Sequence, residues 1–222
     1  MRLLVQREKD EKHENSRKAL LVIDIQEDYT GVTAKHPFPY KDSEKLITTV
    51  NKVIEEASKR NFIIVYIKQE FDGLFGRMIS GATAICFSIT NSQSKDGLFG
   101  RMISRAVVGG TAIKGNPGTE IDKRISIISN HCFSKSKGDA FSNPKLEACL
   151  IEYQVNELYL VGIDARFCVY STAKGALKRG YNVNVITDGI ALLAGGKWDA
   201  LMKKYKRDGI NLVSSHELFM AI

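Results

Sequence analysis

Short apolar runs alternate along this chain with longer stretches whose apolar positions recur every three or four residues. "ALLVIDI" at 19–25 interrupts its apolar run only at Asp24, as a strand buried on both faces does. "SEKLITTVNKVIEEASKRN" (43–61) predicts a helix with Ser43 as N-cap and Leu46, Val50, Val53 and Ile54 on one face. "FIIVYIK" (62–68) predicts a second strand, and "RISIIS" (124–129) a third. A helix over 143–154 opens on Asn143 with Pro144 at its first position. The strand "ELYLVGI" (157–163) follows, then a helix over 168–179 closed by Gly180. The chain ends on a strand at 181–188, a helix at 196–208, a strand at 210–214 and a short helix.

Strands separated by helices imply an α/β fold with a mostly parallel sheet covered on both faces. In such sheets ligands bind beyond the carboxyl ends of the strands. The positions to inspect are therefore the ends of the strands at 19–25 and 157–163 and the segment after 124–129. The predicted organisation is a polar arm at 1–17 and one domain over 18–222. "DGLFGRMIS" occurs at 72–80 and again at 96–104, a tandem duplication at a spacing of 24 residues. Two copies are too few to stack as a solenoid. The stretch reads as an inserted surface excursion at about 72–104, since added loop length costs little.

Composition narrows the function classes. The chain has 222 residues, 44% hydrophobic and 26% charged, as in an ordinary soluble domain. The net charge of +7 is densest in "KKYKRDG" (203–209), on the solvent face of a predicted amphipathic helix. Without aromatic interleaving it does not read as a nucleic-acid surface. Cys86, Cys132, Cys149 and Cys168 are widely spaced with no CxxC pair, which argues against a zinc ribbon or a disulfide framework. The start has no signal-peptide pattern and no run reaches membrane-spanning length, so a reducing cytoplasm is expected. "GGTAIKGNPG" (109–118) carries Asn116 and Pro117 where a phosphate loop needs Lys and Ser or Thr. His13, His36, His131 and His216 fit no metal-ligand spacing, so neither metal nor cofactor is expected.

Three residues remain at the strand ends. Read singly, each has an ordinary alternative: Asp24 as a turn residue, Lys135 as a surface lysine, Cys168 as a small core hydrophobe. Position raises the interest of Cys168. A thiol on the first residue of a helix meets unpaired N–H groups and the positive dipole end, which favour the thiolate.

Together these segments resemble the isochorismatase-like cysteine hydrolases over roughly residues 18–215. The resemblance rests on the D-x-Q-x-D of "LLVIDIQEDY", on "KSKGDAF" (135–141), and on "GIDARFCVYSTAKGALKRGYNVNVITD" (162–188). It implies a three-layer α/β/α sandwich, Rossmann-like, around a parallel six-stranded sheet. It also implies a catalytic triad of Asp24, Lys135 and Cys168, and a cis peptide between Ile163 and Asp164. The backbone N–H groups of Asp164 and Cys168 would then form an oxyanion hole. Gln26, Tyr29, Phe141 and Phe167 are the candidate pocket residues. A small-molecule substrate and a homo-oligomer, dimer or tetramer, are expected.

The departures bear on substrate. Many members place a small residue, Thr and Asp between the glycine and the cysteine, where this chain has Asp164, Ala165, Arg166 and Phe167. Nicotinamidases of the family carry an Asp/His metal cluster after the second strand, where "YIKQEFDGLFG" offers only Glu70 and Asp72. Isochorismatases proper generally lack the cysteine. The expected activity is therefore hydrolysis of a small amide or related carbonyl C–N bond through a cysteine thioester. Vinyl-ether or ester hydrolysis and a catalytically silent binding module are the alternatives.

Overall fold

The structure, a computed structural model, describes residues 17–32, 42–71, 111–192 and 197–220. The duplicated segment lies outside these residues, as does the N-terminal arm apart from Arg17, which opens the first strand.

The described elements run β1 (Arg17–Ile23), α1 (Glu27–Thr30), α2 (Ser43–Lys59), β2 (Ile63–Gln69), β3 (Cys132–Lys135), α3 (Pro144–Glu152), β4 (Val155–Gly162), α4 (Cys168–Leu177), β5 (Asn182–Ile190), α5 (Trp198–Arg207), β6 (Asn211–Val213) and α6 (Ser215–Met220). The six strands form one sheet in the order β3-β2-β1-β4-β5-β6, and every pairing is parallel. Alternate residues of the apolar strands point to opposite faces. Leu21, Ile23, Val65, Leu158 and Leu160 pack with Leu146, Leu150, Val169, Ala173 and Tyr205 of α3, α4 and α5. Leu20, Val22, Ile64 and Val161 pack with Leu46, Val50, Val53 and Ile54 of α2 and Leu218 of α6. Each fully buried Leu, Ile or Val is worth about 1.5–3 kcal/mol relative to exposure, so two apolar layers hold the sandwich together.

Three expectations are corrected. The third strand is Cys132–Lys135, and "RISIIS" is not a strand. Its backbone is satisfied by side chains instead. Asn51 bonds the Arg124 carbonyl and the Ser126 N–H, and the Tyr66 hydroxyl bonds the Ser126 carbonyl and the Ile128 N–H. Lys135 is therefore the last residue of a strand, not a residue some way past one. At α2 the N-cap is Asp42, in left-handed backbone (φ 56°) with no side-chain cap, and Ser43 is the first helical residue. Asn143 does cap α3, accepting from the Lys145 N–H, with Pro144 following.

The strand order reverses between β1 and β4, because the chain leaves β1 toward β2 and β3 and returns to the other side at β4. In open parallel sheets such a switch marks where ligands bind, at the carboxyl edge. Gly162 lies beside Ile23 at this switch, with φ +118°. A Cβ there would fall 2.0 Å from the Ile23 carbonyl oxygen, so only glycine lets β4 hand the chain to the following turn this close to β1.

Candidate active site

Four neighbouring strands deliver polar residues to this edge. Asp24 directly follows β1, held in left-handed backbone (φ 55°) with its N–H donated to the Ile67 carbonyl. Gln69 and Lys135 end β2 and β3 and are register partners. Cys168 opens α4, beyond the turn that follows β4. Asp24 is 2% exposed, Lys135 3% and Cys168 6%. A lysine and an aspartate so deeply buried are rare unless paired. Here they are paired: Lys135 Nζ donates to Asp24 Oδ2 at 2.7 Å and to Gln69 Oε1 at 2.6 Å.

The other carboxylate oxygen, Asp24 Oδ1, is buried with no hydrogen-bond partner among the described residues. The Cys168 thiol is close enough to interact electrostatically with both Asp24 and Lys135. Burial pushes the Asp24 carboxyl above its ordinary range, against the pull of the Lys135 ammonium. Burial alone would lower Lys135, but Asp24 and Cys168 outweigh it and hold the ammonium charged. Burial also drives the Cys168 thiol well up; Lys135 opposes this and Asp24 adds to it. A thiol, a carboxyl and an ammonium thus meet in a site shielded from water.

The turn ahead of α4 is fixed on several sides. The Ile163–Asp164 peptide is cis. Ala165 N–H donates to the Ala191 carbonyl, Arg166 N–H to Asp164 Oδ1, and Phe167 and Val169 N–H to the Asp164 carbonyl. The Ala165 carbonyl accepts from the buried Tyr205 hydroxyl of α5 at 2.5 Å.

The candidate pocket residues divide. Tyr29 on α1 is half-buried, and burial raises its phenol, with Asp24 and Cys168 nearby adding to the rise. Phe167 immediately precedes Cys168 and is half-buried. Gln26, by contrast, is wholly buried and its amide is spent on backbone. Nε2 donates to the carbonyls of Gln69 and Thr119, and Oε1 accepts from the Gln69 N–H. It ties the segment after β1 to β2. Phe141 packs into the core, stacked on Tyr181 at 5.8 Å with the Arg179 guanidinium 4.6 Å from its ring centre.

Gln69 carries no role in the sequence reading. Its signal was present: a polar residue ends the apolar run of β2 at the same edge as Asp24. Of the possible metal donors, Glu70 is ion-paired to Lys68 at 3.4 Å, while Asp72 lies outside the described residues. Among the described residues no three His, Cys, Asp or Glu side chains converge in a way that could hold a cation.

Comparison with known proteins adds the following. The family model of the Isochorismatase domain matches residues 18–217. The chain is 27% identical over 177 residues to the uncharacterized isochorismatase family protein YaaI of Bacillus subtilis, covering 78% of this chain and 80% of that protein. An isochorismatase-like hydrolase from Alkaliphilus metalliredigens superposes with a TM-score of 0.69 at 20% identity, over 93% of this chain and 99% of that one. N-carbamoylsarcosine amidase from Thermoplasma acidophilum does so with a TM-score of 0.63 at 21% identity, over 90% and 96%.

Proposed function

This chain belongs to the isochorismatase family of hydrolases, and we propose that it cleaves a small-molecule amide or related carbonyl C–N bond through a thioester on Cys168. The observation that carries this reading is the buried convergence of Lys135, Asp24 and Cys168, with one Asp24 oxygen paired to the ammonium and the other without a partner. The amidase among the structural neighbours supports the bond type.

In this mechanism Asp24 Oδ1 takes the thiol proton while Sγ attacks the carbonyl carbon. Lys135 keeps Asp24 ionised and oriented. The backbone N–H groups of Asp164 and Cys168 donate to the oxyanion, a contribution typically worth several kcal/mol. Asp24 returns its proton to the departing amine. Water, deprotonated by the same carboxylate, then cleaves the thioester and frees the acid.

A panel of small amides, ureides and esters, followed by release of ammonia and acid, tests the bond type. Turnover of amides or ureides with stoichiometric ammonia is expected. Turnover confined to esters or vinyl ethers would overturn it.

Two further outcomes follow from the site. Asp24 must be ionised to act, and burial raises its pKa, so kcat/KM falls as pH drops through a value above the ordinary carboxylate range. A pH–rate profile with its acid limb at or below that range would contradict this assignment. The residues assigned here supply nucleophile, base and oxyanion donors without a Lewis acid. Exhaustive EDTA treatment therefore leaves activity on the identified substrate within about twofold, under half a kcal/mol of barrier. Loss on chelation that zinc, iron or manganese restores would contradict it.

A further inference from the structure

An ammonium has three N–H donors and no acceptor, so its direction is set by what receives each one. At Lys135 two are assigned: one to Asp24 Oδ2 at 2.7 Å and one to Gln69 Oε1 at 2.6 Å. Gln69 is itself immobilised. Its Nε2 donates to the Lys135 carbonyl at 2.9 Å, its N–H donates to Gln26 Oε1 at 2.7 Å, and its carbonyl accepts from Gln26 Nε2 at 3.0 Å. The amide cannot be turned over, because Lys135 presents a carbonyl, which only accepts, to one end and an ammonium, which only donates, to the other. Gln69 thus grips the same residue by backbone and by side chain, from the neighbouring strand and in register.

We propose that Gln69 is a positioning residue of this site: it takes one N–H of the Lys135 ammonium so that the second is held on Asp24 and the third is left for the sulfur of Cys168. The inference rests on the cysteine-hydrolase reading above. Asp24 could neutralise the lysine alone, but two acceptors are needed to fix the direction of the third donor. A neutral amide does this without adding a second negative charge. Asp24 after β1 and Cys168 on α4 act on the ammonium, Asp139 from the turn before α3 lies within its electrostatic reach, and Tyr29 of α1 is near Asp24. With Asp24 ionised and both Lys135 and the thiol protonated, the pair is balanced. A carboxylate in place of the Gln69 amide would upset it.

Two variants test this. Gln69→Met keeps the length but removes both side-chain hydrogen bonds; kcat is expected to fall at least about tenfold, 1.4 kcal/mol of barrier, with KM changed far less. Gln69→Glu can imitate the amide only while protonated, its hydroxyl donating to the Lys135 carbonyl. The ratio of its kcat/KM to that of the wild type is therefore expected to hold on the acid side and to decline as the introduced carboxyl ionises, adding a descending limb that the wild type lacks. Thermal melts accompany both variants and confirm that the fold is retained. A Gln69→Met enzyme with wild-type kcat, or a Gln69→Glu profile parallel to wild type and merely scaled, overturns the inference. Absence of a Cys168 thioester in the wild type would instead remove the functional reading beneath it.

Discussion

Cys168→Ala is expected to fold and to lose turnover by roughly ten-thousandfold or more, the scale on which enzymes using covalent catalysis lose activity without their nucleophile. The side chain is 6% exposed and its loss removes one sulfur atom from the edge of the core. The stability cost is therefore small, on the order of 1 kcal/mol. Asp24→Asn should be nearly as severe, because an amide cannot take the thiol proton. The double variant should be no worse than either single one, since residues acting as a unit give non-additive losses. Residual turnover near the wild-type rate in Cys168→Ala would mean that the thiol is core packing after all.

Lys135→Ala has the second large effect, and it falls on stability as well as on rate. Removing one partner of a buried pair leaves Asp24 as an uncompensated charge, a change worth about 3–5 kcal/mol. For a chain of this size that lowers Tm by roughly 10 °C. Part of the loss is the cavity, which does not depend on pH. The rest does, with a definite sign. Without the ammonium, burial raises the folded-state pKa of Asp24 further. A carboxyl with a raised folded pKa contributes its stability below its unfolded pKa, and that contribution disappears as pH rises through the folded value. The Tm gap between wild type and Lys135→Ala should therefore be narrow at acidic pH and wide at neutral pH. Lys137→Ala, on an exposed residue two positions on, should change neither rate nor melting appreciably. A gap that does not depend on pH would assign Lys135 to packing alone.

The fold was legible wherever burial on both faces wrote itself into a strand. β1, β2 and β4 centre on apolar runs and β5 on the buried Val183–Ile186, and each was found to within a few residues. β3 was not, for a physical reason. It is an edge strand of four residues, Cys132–Lys135, whose only side chain buried as deeply as the core is Lys135, so its pairing with β2 leaves no apolar pattern behind. The more apolar "RISIIS" drew the assignment instead, although Ile127 is 54% exposed and Ile128 48%. What holds it is the side chains of Asn51 and Tyr66, contacts some 60 to 75 positions away that no local pattern announces.

The site was legible in part. Asp24 and Cys168 stand where strand ends and helix starts are marked in the sequence. Lys135 was chosen through the spacing of a resemblance, and its burial beside Asp24 emerges only when β3 and β1 flank β2. Gln69 needed the register of β2 against β3. Gln26 and Phe141 were named as members of the matched motifs; the hydrogen bonds of the one to backbone and the packing of the other against Tyr181 depend on contacts far away in sequence.

The most direct test of the central claim is rapid-quench mass spectrometry of the wild-type enzyme with an amide or ureide that it turns over, followed by peptide mapping. A covalent adduct with the mass of the acyl group is expected on Cys168, labile to hydroxylamine as a thioester is, and formed at least as fast as the overall turnover. It should be missing from Cys168→Ala. An adduct on a different residue, or one that forms more slowly than product is released, would contradict the account.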